Sequence, residues 1–202
     1  MKYRILNKND YKLSSWSGGD TNELYIYPKT SEYKKRNFMF RISTATVKDE
    51  KSTFTKLNGI ERTLMTLTGK LKLSFKDKYE KELDKYEAIS FSGDWDTTSY
   101  GKVTDFNLMM NSGCCGGLQH MRVLKNHFYL LKLENKNSER FMECIYNLGE
   151  EVTISIEDEE IRLKSKETLI LDFHGNESKS LLKVINNTDK NVDLIRATVY
   201  FK

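Results

Sequence analysis

Period-two alternation of apolar and polar residues runs through most of this chain, and it leaves little room for anything but β-strands. Leu71, Leu73 and Phe75 alternate with Lys70, Lys72 and Ser74. Val152, Ile154 and Ile156 do the same, as do Ile161 with Leu163, and Leu169 with Leu171. The last run carries Val192 and Leu194, then Ala197, Val199 and Phe201. Near the start, Leu24 and Ile26 point one way while Tyr25 and Tyr27 point the other. Phe38, Phe40 and Ile42 form one face of the next run; Met39, Arg41, Ser43, Ala45 and Val47 form its other face. Only Tyr79, Leu83 and Tyr86 recur at helical spacing. That segment is short, uncapped and set between strand patterns. It reads as a strand Tyr79–Leu83, a turn at Asp84-Lys85 and a strand from Glu87 to Phe91.

The alternating pattern also repeats. Gly69 opens a strand-turn-strand-turn-strand series that ends at Phe91, and Gly149 opens a similar one that ends at Phe173. The two glycines lie 80 residues apart, as do Glu87 and Glu167. A one-residue slip interrupts the match inside each copy. A duplicated β unit predicts two antiparallel barrels or sandwiches. The boundary falls near residue 110, giving a lobe of 1–110 and a lobe of 111–202. Pro28 is the sole proline, and no Pro, Gly or Ser-rich linker divides the chain, so the halves are expected to pack without a tether.

Charge argues against a nucleic-acid partner. Lys and Arg number 33 against 29 Asp and Glu, and the two signs are interspersed. The basic cluster Lys34-Lys35-Arg36 has no aromatic platform or groove-reading helix beside it and reads as a solvated loop. No apolar run reaches the roughly 18 residues needed to span a bilayer. The opening Met1-Lys2-Tyr3 lacks the apolar region of a signal peptide, so a cytoplasmic protein is expected, with no membrane partner. Cys114, Cys115 and Cys144 fit a reducing compartment. The adjacent pair could hold a soft metal only with further ligands, and His120 alone lies close, so an ordinary loop is the simpler reading. His120, His127 and His174 are scattered, with no His-x-His pair. No metal and no cofactor are expected.

Polar residues of interest gather in the first half. Gly18-Gly19, followed by Thr21, could present backbone N–H groups to an anion, or could simply turn the chain into a strand. Arg41 sits in an otherwise apolar alternating run with Ser43, and Arg62 immediately precedes another. If that face points into a barrel, each arginine needs a partner, because an unpaired buried charge is costly. Two guanidiniums would suit a carboxylate; the alternative is a structural acid such as Asp94 or Asp105. Asp105-Phe106-Asn107 could form a polar wall or an Asx-type turn. No nucleophile elbow, P-loop or dinucleotide fingerprint is present.

These same residues carry a family resemblance. Trp16-Ser17-Gly18-Gly19-x-Thr21 with Leu24-x-Ile26-x-Pro28 resembles the opening of HutD/Ves proteins. Phe40-Arg41-Ile42-Ser43-x-Ala45-x-Val47, Gly59-Ile60-x-Arg62-x-Leu64, Phe91-x-Gly93-Asp94 and Thr104-Asp105-Phe106-Asn107 continue it in order. The resemblance is strongest over residues 10–110. It implies an all-β bicupin: two antiparallel, jelly-roll-like cupin barrels, the first holding a ligand pocket and the second mainly structural. It implies a ligand site at Trp16, Gly18, Gly19, Thr21, Arg41, Ser43, Arg62, Phe91, Asp94, Asp105 and Asn107. It also implies a link to histidine utilisation, with a small carboxylate such as a formylated glutamate as ligand. The His-x-His and Glu motif of metal-binding cupins is missing here.

Three functions follow as expectations. The first is a non-enzymatic protein that senses a small carboxylate. The second is a metal-independent isomerase or hydrolase acting on a small acid, with Asp94 or Asp105 as base. The third is a protein-interaction module. A homodimer is compatible with each.

Overall fold

The computed structural model describes residues 1–133, 138–174 and 181–202. Its contacts divide the chain into two compact units, Tyr11–Cys114 and a second made of Met1–Asp10 with Cys115–Lys202. The first ten residues thus join the second unit, unlike the expected lobe of 1–110.

The chain opens with β1 (Lys2–Leu6). The N-terminal unit then runs β2 (Lys12–Trp16), β3 (Gly19–Tyr27), a 3-10 turn at Tyr33–Lys35, β4 (Phe40–Val47), β5 (Lys51–Thr53) and β6 (Ile60–Thr68). It continues with β7 (Leu71–Phe75), β8 (Tyr79–Leu83), β9 (Ala88–Ser92), β10 (Thr97–Tyr100) and β11 (Thr104–Asn111). The C-terminal unit adds β12 (Cys114–Val123), β13 (His127–Lys132), β14 (Arg140–Asn147) and β15 (Val152–Ile156). It ends with β16 (Glu159–Leu163), β17 (Thr168–His174), β18 (Leu181–Asn186) and β19 (Val192–Phe201). The strand expected at Tyr79–Leu83 is there as β8. No helix among the described residues is long and apolar enough to cross a membrane.

Each unit is a pair of antiparallel sheets. In the N-terminal unit a six-stranded sheet, β2-β3-β4-β11-β6-β9, is accompanied by a four-stranded one, β5-β10-β7-β8. In the C-terminal unit the orders are β1-β17-β14-β19-β12 and β13-β18-β15-β16. The four-stranded sheets match strand for strand, and β9-β6-β11-β4 of the first unit corresponds to β17-β14-β19-β12 of the second. The duplication inferred from the sequence is therefore present at the level of topology. The slip within the repeat also has a cause. Three residues join β7 to β8, whereas two join β15 to β16.

The next turn is built identically in both copies. The backbone N–H of Asp84 donates to Glu87 Oε2 at 2.9 Å, and that of Lys164 donates to Glu167 Oε2 at 2.8 Å. Tyr86 and Lys166 follow one another's left-handed geometry, at φ 68° and 64°. Their N–H groups donate to the carbonyls of Thr66 and Asn147, at 2.6 and 2.8 Å. Thr66 and Asn147 are thus counterparts, and so, four residues earlier, are Arg62 and Glu143.

Apolar side chains from the two sheets of each unit meet in its interior. In the N-terminal unit Val47, Leu64 and Phe91 pack with Leu71, Leu73, Phe75 and Leu83. In the C-terminal unit Ile145, Leu169 and Leu171 pack with Ile154, Ile161 and Leu182. Because Val47, Leu64 and Phe91 belong to the six-stranded sheet, they identify which of its faces is the inner one.

Candidate functional site

Strand register assembles the polar residues of the N-terminal unit on that inner face. Residues paired directly across antiparallel strands project to the same side of the sheet. Thr21, Ala45, Asp105 and Thr66 make one such row. Glu23, Ser43, Asn107, Leu64 and Ile89 make the next. Ile26, Arg41, Met109, Arg62 and Phe91 make the third. Asp105 and Asn107 lie inside β11, so the Asx-turn reading is overturned: their backbones pair on both sides with β4 and β6.

The two arginines differ. Arg41 is held within the chain. Its Nε donates to Glu23 Oε2 at 2.6 Å, its Nη1 donates to Ser43 Oγ at 3.0 Å, and its guanidinium lies 4.5 Å from the Tyr33 ring centre. Arg62 has aromatic company instead: its guanidinium sits 4.4 Å from the Phe54 ring centre and 5.5 Å from that of Phe91. Arg62 Nε is buried without a hydrogen-bond partner, and the same holds for Thr66 Oγ1, Asp105 Oδ1 and Asn107 Oδ1.

Electrostatics reflect that isolation. Burial pulls the Arg62 guanidinium down to about 10, opposed by Tyr33 and Asp105 and assisted by Arg41. Burial pushes the Asp105 carboxyl up to about 7, against the pull of Arg62. Arg62 and Asp105 thus influence one another through space, without a hydrogen bond between them. An orphaned buried polar atom costs roughly 1–3 kcal/mol, so four on one face form a standing demand for partners from solution.

The remaining expected site residues lie elsewhere or have structural work. Trp16 is 38% exposed, and its Nε1 donates to Thr21 Oγ1 at 3.2 Å. Neither Gly18 nor Gly19 has the positive φ of an anion-binding nest. A Cβ on Gly19 would stand 2.0 Å from the Thr46 carbonyl oxygen, and one on Gly18 would strike the Trp16 ring. These glycines are explained by packing. Asp94 is exposed, on the turn after β9, and its carboxylate accepts from Ser92 Oγ at 3.1 Å. Arg62, Asp105 and Asn107 therefore form the centre of the candidate site, with Phe91 beneath Arg62. Thr66, Phe54 and Glu23 join them, though none of the three was among the expected site residues.

The C-terminal unit is less bland than its sequence suggested. Glu143, the counterpart of Arg62, is fully buried and closed off within the chain. Arg196 Nε donates to its Oε2 at 2.8 Å, Arg196 Nη2 reaches the other oxygen, and Thr198 Oγ1 donates at 2.8 Å. A cleft of about 520 Å³ opens there between Gly116-Gly117, Gln119, Lys132, Arg196, Thr198 and Tyr200. The buried orphan atoms of the described residues all belong to the N-terminal unit. Cys114 and Cys115 open β12 rather than forming a loop, the first buried and the second exposed, and neither is in a disulfide. His120 is engaged with Asp193 at 2.8 Å. Among the described residues no three His, Cys, Asp or Glu side chains converge as metal ligands would.

Comparison with known proteins agrees with this architecture. The HutD family model matches residues 8–187. The structure resembles that of PA5104, a conserved protein of unknown function from Pseudomonas aeruginosa PAO1. The TM-score is 0.79 at 20% identity, covering 99% of this chain and 100% of that one. It also resembles HutD from Pseudomonas fluorescens SBW25, solved in a formate condition, with a TM-score of 0.69 at 18% identity over all of both chains. A Lactobacillus farciminis oxalate decarboxylase, in complex with formate, aligns with a TM-score of 0.70 at 6% identity, over 98% of this chain and 86% of that one. At such identities the likeness is one of fold. No curated protein sequence matches the chain.

Proposed function

Because this chain belongs to the HutD family, we propose that its N-terminal barrel binds a small carboxylate on Arg62, and that the protein senses this ligand in connection with histidine utilisation. The observation that carries the reading is the set of four buried, unpartnered polar atoms on one inner face, with a single unpaired guanidinium among them. A guanidinium presents a planar fork that matches a carboxylate in shape and charge. The C-terminal unit supplies the contrast: there, the buried carboxylate of Glu143 already has its arginine. In the N-terminal unit the buried arginine has no carboxylate hydrogen-bonded to it, and one from solution would complete it. The formate named for two of the similar structures supports a fold hospitable to small carboxylates.

A second reading rests on Asp105. A carboxyl held at about 7 is well poised to give or take a proton near neutrality. Product analysis after prolonged incubation with a bound acid separates the two readings: sensing leaves the acid unchanged, and turnover does not.

The binding claim is tested by calorimetric titration of wild type and Arg62→Lys with formate, butyrate and glutarate, alongside thermal melts. Lysine keeps the charge and loses the fork. A charged hydrogen bond contributes roughly 1.5–3 kcal/mol, so affinity should fall by about one to two decades at an unchanged melting temperature. A large drop in melting temperature with affinity intact would assign Arg62 to structure.

A further inference from the structure

The unpartnered atoms also describe the other end of the ligand. Four charged side chains on the inner face of the six-stranded sheet are buried or half-buried, Glu23, Arg41, Arg62 and Asp105, whereas Lys12, across from Glu23 on the edge strand β2, is exposed. Glu23 and Arg41 neutralise each other at 2.6 Å. That leaves one cation and one anion, both buried and not hydrogen-bonded to each other. A plain carboxylate on Arg62 would satisfy the cation and set a second negative charge in the same interior as Asp105. A dicarboxylate would add one more. Moreover, a carboxylate only accepts hydrogen bonds. It offers nothing to the orphaned oxygens of Asp105 and Asn107, which need donors.

Resting on the carboxylate reading above, we propose that the ligand class is a small zwitterion, its carboxylate on Arg62 and an ammonium group received by Asp105, Asn107 and Thr66. The valences agree. A primary ammonium has three N–H donors, and the orphaned oxygens opposite Arg62 number three: Asp105 Oδ1, Asn107 Oδ1 and Thr66 Oγ1. Their placement agrees too. Thr66 and Asp105 are directly paired across β6 and β11, and Asn107 follows on the same face of β11. Arg62 pairs with Met109, four residues along β11 from Asp105. That spans about 13 Å of backbone, part of which the long Arg62 side chain covers. A short amino acid, whose charges are separated by a few carbons, is the length class that this span calls for. Such a ligand brings both buried charges to neutrality together, as charge complementarity in a desolvated site requires.

The test is a length series of amino acids, from glycine through 3-aminopropionate and 4-aminobutyrate to 5-aminopentanoate. Each is titrated against the nitrogen-free acid of the same carbon count, and against glutarate, at pH 7.5. At least one amino acid should bind about tenfold or more tightly than its nitrogen-free partner, and glutarate should gain nothing over butyrate. In Asp105→Asn that preference should shrink toward unity, because the amino acids lose their ammonium partner and the nitrogen-free acids, no longer facing a second buried negative charge, bind more tightly. If the nitrogen-free acids bind through Arg62 and no amino acid is preferred, the zwitterion is overturned and the carboxylate reading stands. If no acid binds, or binding is indifferent to Arg62, both are overturned.

Discussion

Asp105→Asn should make the ligand-free protein more stable than wild type at pH 8, with the advantage vanishing toward pH 4. Burial raises this carboxyl from 3.8 to about 7 in the folded protein, against the opposing pull of Arg62. Between those values the unfolded chain has lost the proton while the folded chain still holds it. The folded state then binds more protons, so stability falls as pH rises from about 4 to about 7, and the loss is complete above 7. Raising the carboxyl from 3.8 to about 7 corresponds to a cost on the order of 4 kcal/mol above pH 7. Asparagine avoids the charge, although it leaves a carbonyl in the same place, so only part of that cost is recovered. A gain of roughly 5 °C or more in melting temperature at pH 8 is expected for a chain of this size. Melts of both proteins from pH 4 to pH 8 check it. Parallel curves across that range would show that the Asp105 carboxyl is already partnered or solvated in the folded state.

Arg62→Met should likewise stabilise the free protein, by about 1–3 kcal/mol, and should abolish carboxylate binding. A buried ion without a partner costs more than an apolar side chain of similar length. The thioether can keep the contacts with Phe54 and Phe91 that the guanidinium now makes. Stability gained and binding lost in one substitution is the behaviour of a group kept for function. Chemical denaturation of both proteins at pH 7.5, with titration of butyrate into each, measures the pair of effects. A strongly destabilised variant would contradict the account, since it would mean that Arg62 holds the barrel together.

Much of the fold was legible because alternation reports strands directly. The choice of strand over helix for Tyr79–Leu83 rested on length and context, and the Glu87 and Glu167 side chains explain why the turns after β8 and β16 recur. The fate of Arg41 was not legible. Simple alternation through β3 puts Leu24 and Ile26 on one face and would leave Glu23 with the tyrosines. The register instead shifts between Glu23 and Tyr25. The bulge takes Leu24 out of the alternation and turns Glu23 inward beside Ile26, where it meets Arg41. A period-two reading cannot show such a shift. Asp105 and Asn107 looked like turn residues because β11 is buried on both faces, so no polar face marks it as a strand. Glu143 and Arg196 escaped notice for a related reason: 53 residues separate them, and nothing local announces their pairing. Gly18 and Gly19 stood out correctly as unusual, but the reason is the approach of Trp16 and the Thr46 carbonyl rather than an anion.

The central claim is that Arg62 awaits a carboxylate, and its own Nε–H proton reports this most directly. In a proton–nitrogen correlation spectrum of the free protein, the buried Arg62 Nε–H should give a resolved signal, identified by its loss in Arg62→Met. On titration with butyrate at pH 7.5 that signal should move downfield and saturate, with the same midpoint as the calorimetric isotherm. Saturable binding with the Arg62 signal unmoved would place the ligand elsewhere and contradict the account.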